Sequence, residues 1–131
     1  MKTDIYNLDE AAFFYKMLPK GTFTTAGGFS SGGKQSKEPV TVLFGANATD
    51  VDKLPLLILG KAEKPRCCRN ATIPKECIYR SNKRAWMTAA IFEDYVRLLD
   101  RRFDTKNRQV LFIIDKCPSH GNIDNLKAIA V

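Results

Sequence analysis

The sequence predicts an α/β fold in which one amphipathic helix packs against a sheet of mixed strand direction. Three observations lead to this prediction. Short apolar segments of strand-like composition come first, one run with helical periodicity follows, and another short apolar segment comes after it. Antiparallel hairpins followed by a helical crossover are typical of mixed α/β sheets. At 131 residues, the chain has the length of one domain with a single core.

The first three strands are expected to form an antiparallel meander. The segment Asp4–Asp9 predicts a short strand that ends at an acid, after which the chain turns. Val40–Ala46 and Leu54–Leu59 predict two further strands, and the polar stretch between them indicates a hairpin. Pro55 is tolerated because it lies near the start of its strand.

A loop rich in Gly, Ser, Thr and Lys separates the first two strands. It contains Gly28–Lys34, which matches the phosphate-cradling pattern until Gln35 takes the place of the Ser or Thr that would reach magnesium. No buried strand leads into this loop, and Pro39 blocks a helix after it. These features exclude nucleoside triphosphate binding and favour a flexible basic hairpin loop.

Positive charge is concentrated in an irregular segment, residues 60–84. The whole chain has 21 Lys and Arg against 14 Asp and Glu, a net charge of +7. Such an excess favours a polyanionic partner, because Lys and Arg contact phosphates and release counterions. Two interpretations stay open for this segment, a surface that follows phosphates and an ordinary solvated connection.

The segment from Thr88 to Phe103 predicts the helix. Thr88 is a suitable N-cap, and apolar residues recur after it at steps of three and four. The opposite, polar face is predicted to hold Glu93, Asp94, Arg97, Asp100 and Arg101. The run Val110–Ile114 then predicts a strand buried on both faces, which ends at Asp115 before Pro118. A short polar segment at Asn122–Asn125, expected to form one helical turn, and the beginning of a last strand at Leu126–Val131 complete the order.

The sequence argues against a zinc site, a membrane-spanning segment and a signal peptide. The four cysteines form no Cys-x-x-Cys pair and the chain has one His, which argues against zinc and for free thiols. The longest apolar runs are far shorter than the ~20 residues that cross a bilayer. The N-terminus lacks the features of a signal peptide, so we expect an intracellular protein without membrane contact.

The predicted order of strands and helix is that of the ribonuclease H-like fold. In that fold the first and fourth strands are central neighbours, so Asp9 and Asp115 would face each other across a cleft. Two adjacent carboxylates repel unless cations neutralise them, and oxygen ligands suit Mg²⁺ or Mn²⁺. A metal pair could hold both the attacking and the leaving oxygen of a phosphodiester.

Seven motifs carry a resemblance to a known family. They are Asn7–Glu10, Gly32–Glu38, Val42–Ala48, Lys53–Lys61, Lys64–Cys67, Ser81–Thr88 and Asp115–His120. Together they resemble the DDE-type transposase domain of the pogo/Tigger group, whose domesticated relatives include jerky-like proteins and centromere protein B. The resemblance implies a ribonuclease H-like fold, cut-and-paste DNA chemistry and a nuclear location.

By this resemblance, Asp9 and Asp115 look like the first two catalytic, metal-binding acids. The third acid of the family follows the last strand, in a stretch this chain does not contain, so residues 1–131 are expected to be a partial, C-terminally truncated DDE superfamily endonuclease domain. Lys116 replaces the usual Asn and could compete with a metal for Asp115. Weak binding of Mg²⁺ or Mn²⁺ is therefore expected. Ala11 and Ala12 also depart from the family pattern.

The remaining candidate site residues are cations and one histidine. The candidates for contact with DNA are Lys34, Lys37, Lys61, Lys64, Arg66, Lys83 and Arg84. His120 is an accessory candidate that could order water or a phosphate, and a turn-capping role is an equal alternative.

Three functional hypotheses stay open. The first is a transposon-derived domain that binds DNA but is catalytically incomplete. The second is an active metal-dependent endonuclease, whose third acid would come from Glu93, Asp94, Asp124 or a partner chain, including a second copy. The third is a domesticated protein-interaction or chromatin-associated module without catalysis.

Overall fold

Six strands and one α-helix make up the described part of the chain. The computed structural model describes residues 2–14 and 39–131. The elements are β1 (Ile5–Phe14), β2 (Pro39–Asn47), β3 (Leu56–Gly60), β4 (Cys77–Ser81), α1 (Ala89–Thr105), β5 (Val110–Ile113) and β6 (Ile129–Ala130). Short 3₁₀ segments lie at Lys2–Asp4, Arg66–Cys68 and Pro118–His120. The predicted α/β fold with a mixed sheet is confirmed.

The strands form one sheet in the order β4-β3-β2-β1-β5-β6. β1, β2 and β3 pair antiparallel, which confirms the meander, whereas β3–β4, β1–β5 and β5–β6 are parallel pairs. The first strand therefore lies beside the strand that follows the helix, as expected. Because β2 alone runs in the opposite direction among the described strands, the other five end at one edge, the carboxyl edge of the sheet.

The prediction that the first strand ends at Asp9 is wrong. β1 continues to Phe14, and its residues stay paired with β2 as far as Phe14 opposite Pro39. An Asp need not end a strand when its side chain points to solvent, since the backbone groups still pair. Asp9 is exposed in this way, opposite Phe44.

The basic segment holds a strand that its composition did not predict. Cys77–Ser81 forms β4 and pairs in parallel with β3 along its whole length. It is an edge strand whose side chains are mostly half-buried, so the periodic burial that identifies a strand is weak. The predicted helical turn at Asn122–Asn125 is also wrong, since the 3₁₀ turn lies at Pro118–His120.

Helix α1 covers one face of the sheet. Thr88 caps it by accepting a hydrogen bond from the Ile91 N–H at 3.3 Å, as predicted. Its apolar stripe forms the core together with buried side chains from five strands. The buried residues of that core include Tyr6, Leu8, Leu43, Leu57, Leu59, Phe92, Val96, Leu99, Phe103, Val110 and Phe112.

Asp100 is a correction to the predicted polar face of the helix. It is only 7% exposed, and its carboxylate accepts hydrogen bonds from the backbone N–H groups of Lys127, Ala128 and Ile129 at 2.7–3.1 Å. Burial alone would raise the pKa of Asp100, but these three donors lower it below the usual value. The carboxylate thus fixes the entry of the chain into β6.

The prediction that the last long strand is buried on both faces is also wrong. Val110 and Phe112 are buried, but Leu111 and Ile113 are 42% and 52% exposed. Helix α1 packs only on the side of the sheet that holds Val110 and Phe112. The unbroken apolar run of this strand therefore did not indicate that both of its faces are buried. The second face of the sheet is therefore apolar and open to solvent within the described residues.

A network of charged and polar side chains lies at the edge of the sheet opposite the carboxyl edge. The Arg108 guanidinium bonds to Asp4 at 2.8 Å and to Asp52 at 3.3 Å, and the buried Tyr6 hydroxyl donates to Asp52 at 2.5 Å. This network joins the start of β1, the turn between β2 and β3, and the entry to β5. It therefore stabilises the positions of β1 and β5, whose opposite ends lie at the carboxyl edge.

Candidate active site

The first candidate acid lies within β1, and the second follows β5, the strand beside it. Parallel pairing of β1 with β5 aligns Asn7 with Ile113, and Asp9 and Asp115 each come two residues later. Side chains alternate along a strand, and Asn7 and Ile113 are both exposed on the face opposite α1. Asp9 therefore points to the open face of the sheet, whereas the pairing of β1 with β5 ends at Asn7 and Ile113, and Asp115 lies two residues beyond the end of β5.

Both carboxylates are accessible. Asp9 is exposed, and one of its oxygens accepts a hydrogen bond from the Glu10 N–H at 2.8 Å. The Asp115 side chain is 74% exposed and borders an open cleft of about 750 Å³, lined by residues 112–118 and 120–122 with Val131. Asp9 does not line this cleft. An exposed carboxylate keeps free lone pairs with which to bind a hard cation.

His120 is a buried link between the two acidic segments. It is 6% exposed, stacks on Phe92 with ring centroids 4.4 Å apart, and places Nε2 2.6 Å from Glu10 Oε1. Its Nδ1 lies 2.9 Å from the carbonyl oxygen of Asp115 and 3.4 Å from that residue's carboxylate. The residue after Asp9 is thereby fastened to the segment that carries Asp115. A turn-capping role is included in this geometry, because Nδ1 bonds the backbone five residues earlier.

The protonation of His120 is coupled to this link. Burial opposes the charged form, but the hydrogen bonds to Glu10 and to the Asp115 carbonyl outweigh it and raise the pKa of His120 above its usual value. With both ring nitrogens protonated, each donates to one of these oxygens. The ion pair therefore contributes its full stabilisation below the unfolded-state pKa of about 6.5 and loses it as the pH rises through the folded-state pKa.

Glu10→Gln is expected to lower the free energy of unfolding by about 2 kcal/mol at pH 6, because a charge-assisted hydrogen bond to a buried ring is lost. The difference from the unsubstituted protein should shrink as the pH rises through the folded-state pKa of His120, where the ring becomes neutral. Urea unfolding at several pH values measures it. Glu63→Gln, in the exposed basic segment, is the control. A Glu10→Gln effect that grows with pH would contradict the assignment of a charged pair.

Three of the five described candidate cations follow strand ends at the carboxyl edge. Lys61 follows β3 directly, and Lys83 and Arg84 follow β4, the strand beside it. Lys64 and Arg66 belong to the connection between those strands, and all five side chains are exposed. Lys34 and Lys37 fall outside the described residues. Lys61, Lys83, Arg84 and Asp115 thus follow strand ends at the carboxyl edge, whereas Asp9 lies within β1.

The donor set suits a hard divalent ion but is small. Asp9 and Asp115 offer carboxylate oxygens, and Mg²⁺ often takes one or two carboxylates with water and phosphate oxygens as the other ligands. Residues 2–14 and 39–131 contain no cluster of three or more His, Cys, Asp or Glu that could hold a metal. The residues present therefore fit an ion that relies on water or on a bound phosphate for most of its ligands.

Glu93 and Asp94, two of the acids that were considered as a third metal ligand, lie on helix α1. Glu93 is paired with Arg97 at 2.7 Å, and Arg97 also bonds the carbonyl oxygen of Asp124 at 3.3 Å. Asp94 lies beside Arg80 and Tyr95 in a small depression between α1 and the β3–β4 side of the sheet. Helix α1 covers the face opposite the one to which Asp9 points. This arrangement gives no support to Glu93 or Asp94 as a third metal ligand.

Sequence reasoning missed Glu10. Its partner is 110 residues away, so no local spacing could reveal the pair. The only signal was that both residues fall within motifs already singled out, Asn7–Glu10 and Asp115–His120.

Comparison with known proteins decides the family. A sequence profile described as DDE superfamily endonuclease matches residues 37–130, well over half of the chain. The chain belongs to the DDE superfamily of endonucleases. The sequence motifs had suggested this family and its Tigger group, and the match confirms the resemblance.

Three relatives show how this member of the DDE superfamily is placed. It is 41% identical to Tigger transposable element-derived protein 4 of Mus musculus over 127 residues, 96% of this chain and 24% of the relative. It is 32% identical to ARS-binding protein 1 of Schizosaccharomyces pombe over 120 residues, 89% of this chain and 22% of the relative. It is also 32% identical to the human major centromere autoantigen B over 110 residues, 84% of this chain and 18% of the relative.

The chain spans about a quarter or less of the length of these curated relatives. No solved structure matches the chain. Among the described residues, no helix has the length and apolar character needed to cross a membrane.

Proposed function

We propose that this chain is a DNA-binding, ribonuclease H-like DDE domain that retains the first two metal-binding acids of a transposase and does not cut DNA by itself. The observation that carries the proposal is the carboxyl edge. Exposed cations follow β3 and β4 there, one accessible carboxylate lies on β1, and the other follows its neighbour β5.

The ribonuclease H-like assignment is supported by topology. An antiparallel meander leads to a helical crossover, after which β5 returns in parallel beside β1. Ligands of open α/β sheets bind beyond the carboxyl ends of the strands, which is where the cations and Asp115 lie. The centromere and ARS named in two relatives are chromosomal DNA regions, which supports DNA as partner and the nucleus as location.

A bound Mg²⁺ or Mn²⁺ would neutralise the carboxylates and polarise a phosphate oxygen. In this chain, Asp9 and Asp115 would hold the ion, and the Glu10–His120 link would keep their two segments together. Incomplete catalysis is expected from the donor set, since two carboxylates, one of them followed in sequence by Lys116, leave most of the ligand positions to water and phosphate.

DNA binding and nicking test this proposal together. We expect the chain to bind duplex DNA with an affinity that falls steeply with salt, and to leave supercoiled plasmid intact in Mg²⁺ or Mn²⁺. Gel-shift titrations across salt concentrations and a plasmid-nicking assay are the measurements. Salt-insensitive or absent binding would refute the DNA role. Robust nicking that Asp115→Ala abolishes would refute the claim of incomplete catalysis.

A second candidate function is a protein-interaction or chromatin-associated module without catalysis. The open apolar sheet face favours it, because Phe44, Leu111 and Ile113 are large, apolar and exposed there. Capture of protein partners that is lost in Leu111→Ser, with no measurable DNA binding, would favour this function over the first.

A further inference from the structure

Trp86 is held at the surface by a rigid turn. Its side chain is 61% exposed, although its neighbours Ala85 and Met87 are both buried. Tryptophan normally contributes its large apolar surface to a core or an interface. Because the residues on both sides of Trp86 are buried, its exposed ring projects from an anchored segment of chain. The proposed roles of the two acids and of the candidate cations do not involve this ring.

Asn82 fixes the backbone of Trp86 from both sides. Its side-chain oxygen accepts hydrogen bonds from the N–H groups of Arg84 at 3.1 Å and Trp86 at 3.2 Å. Its side-chain nitrogen donates to the carbonyl oxygen of Trp86 at 2.7 Å. One amide side chain therefore satisfies three backbone groups of the turn and determines where the indole projects.

Ala85 ties the turn to the sheet. It is fully buried with φ at +54°, a left-handed conformation that costs an alanine about 1 kcal/mol or more. Its carbonyl oxygen accepts a hydrogen bond from the Thr41 hydroxyl at 2.7 Å, and its N–H donates to the Asn82 carbonyl at 3.1 Å. The surrounding contacts hold this strained conformation, so the exposed ring next to it is not the product of a loose loop.

The surroundings of the ring are cationic. The Arg84 guanidinium lies 5.5 Å from the centroid of the Trp86 ring, and Lys83 is exposed beside it. No Asp or Glu occurs from Cys77 to Phe92. The N–H of Asn82 bonds the carbonyl oxygen of Gly60, which brings the turn against the end of β3 at the carboxyl edge. An accessible aromatic face thus stands within the same basic surface that we propose for DNA.

We propose that Trp86 is a stacking site for an unpaired nucleobase, with Arg84 and Lys83 placed to contact the flanking phosphates. An exposed indole among cations suits single-stranded nucleic acid, because every base offers a π-face and every linkage a negative charge. The ligand class is therefore single-stranded DNA or a strand with displaced bases. The inference rests on the proposed DNA-binding function and adds a base-contacting residue to it.

Fluorescence can read this site directly, because Trp86 is the one tryptophan in the sequence. Titration with a single-stranded oligonucleotide is expected to quench the emission of Trp86, whereas an abasic strand of equal length should bind without quenching. Trp86→Leu should weaken binding of the normal strand about tenfold, and Trp86→Phe should keep most of the affinity because it keeps a ring. Duplex affinity should change little in either variant.

Two further variants separate stacking from charge. Arg84→Gln should make the dependence of log affinity on log salt less steep by about 0.7 for a single strand, whereas Trp86→Leu should leave that slope unchanged. Ile73→Ala removes another exposed apolar side chain from the basic segment and should not alter affinity. Circular dichroism of each variant checks that the fold is retained.

The outcomes distinguish this inference from the function on which it rests. Salt-dependent DNA binding with no quenching, and equal affinities for Trp86→Leu and the unsubstituted chain, would overturn the stacking site and leave DNA binding intact. Failure to bind either single-stranded or duplex DNA would overturn both. Quenching that also occurs with the abasic strand would show that the ring senses the backbone alone and would overturn base stacking.

Discussion

Replacing Asp100 with asparagine is expected to lower the free energy of unfolding by about 3 kcal/mol, the largest effect of any single substitution considered for stability. The carboxylate is buried and accepts hydrogen bonds from three consecutive backbone N–H groups. One carboxylate oxygen, Oδ1, accepts from all three N–H groups, and Oδ2 accepts from Lys127 as well. An amide oxygen at that position carries no full charge, so charge-assisted hydrogen bonds become weaker neutral ones, and the NH₂ group is turned toward the Lys127 N–H. Urea unfolding followed by circular dichroism measures the change.

The pH dependence gives this prediction a second test. Because the folded-state pKa of Asp100 is depressed, its contribution is present above the unfolded-state value of about 3.9 and is lost as the pH falls through the folded-state pKa. Asp100→Asn should remove this part of the acid destabilisation. Asp104→Asn, an exposed change on the same helix, is the control and should alter stability by less than about 0.5 kcal/mol. Equal effects of the two substitutions would contradict the buried role of Asp100.

Neutralising the described cations of the basic surface is expected to cause the largest loss of DNA affinity. The five-fold variant replaces Lys61, Lys64, Arg66, Lys83 and Arg84 with glutamine. If each contacts a phosphate, the slope of log affinity against log salt for duplex DNA becomes less steep by about 4.5. Affinity in low salt should fall by about 1,000-fold or more, since each lost contact removes one counterion-release contribution. Fluorescence anisotropy with a labelled duplex measures both quantities.

A matched variant controls for net charge. It replaces five other exposed cations with glutamine, and these lie toward the opposite edge of the sheet or on the last turns of α1. They are Lys2, Lys53, Arg101, Arg102 and Lys106. Both variants lose the same five charges, so a general effect of net charge would weaken them equally. Equal losses of affinity would contradict a basic surface localised at the carboxyl edge.

Local sequence patterns predicted correctly the elements whose stabilising contacts lie close together in the sequence. The helix follows from apolar residues at steps of three and four and from a Thr cap, all of which lie within a few turns of one another. The hairpin of β2 and β3 follows from two apolar runs around a polar turn. In each case the residues that stabilise the element are neighbours in sequence.

The features that sequence patterns missed depend on distant partners. β4 is held by pairing with β3, Asp100 by a backbone segment 27–29 residues away, and Glu10 by a histidine near the other end of the chain. A polar residue on a helix is normally assigned to solvent, and only its donors in the folded chain show that Asp100 is buried. The face of β5 that stays open depends likewise on where the helix packs.

The two acids occupy an intermediate position between these cases. Their strands were recognised from composition, and the family resemblance suggested their role. The parallel pairing of β1 with β5 then brings the two acidic segments together, which no local pattern contained. The role of Asp9 and Asp115 in binding a metal is still a prediction.

A Mn²⁺ titration of the isotope-labelled chain, followed by NMR, tests the central claim most directly. If Asp9 and Asp115 share one divalent ion, paramagnetic broadening should appear at the amide signals of both residues over the same range of Mn²⁺ concentration. Asp9→Asn should weaken the broadening at both positions, while the signal of exposed Asp104 should stay sharp throughout. Broadening at one acid alone, or at neither in millimolar Mn²⁺, would contradict a shared site.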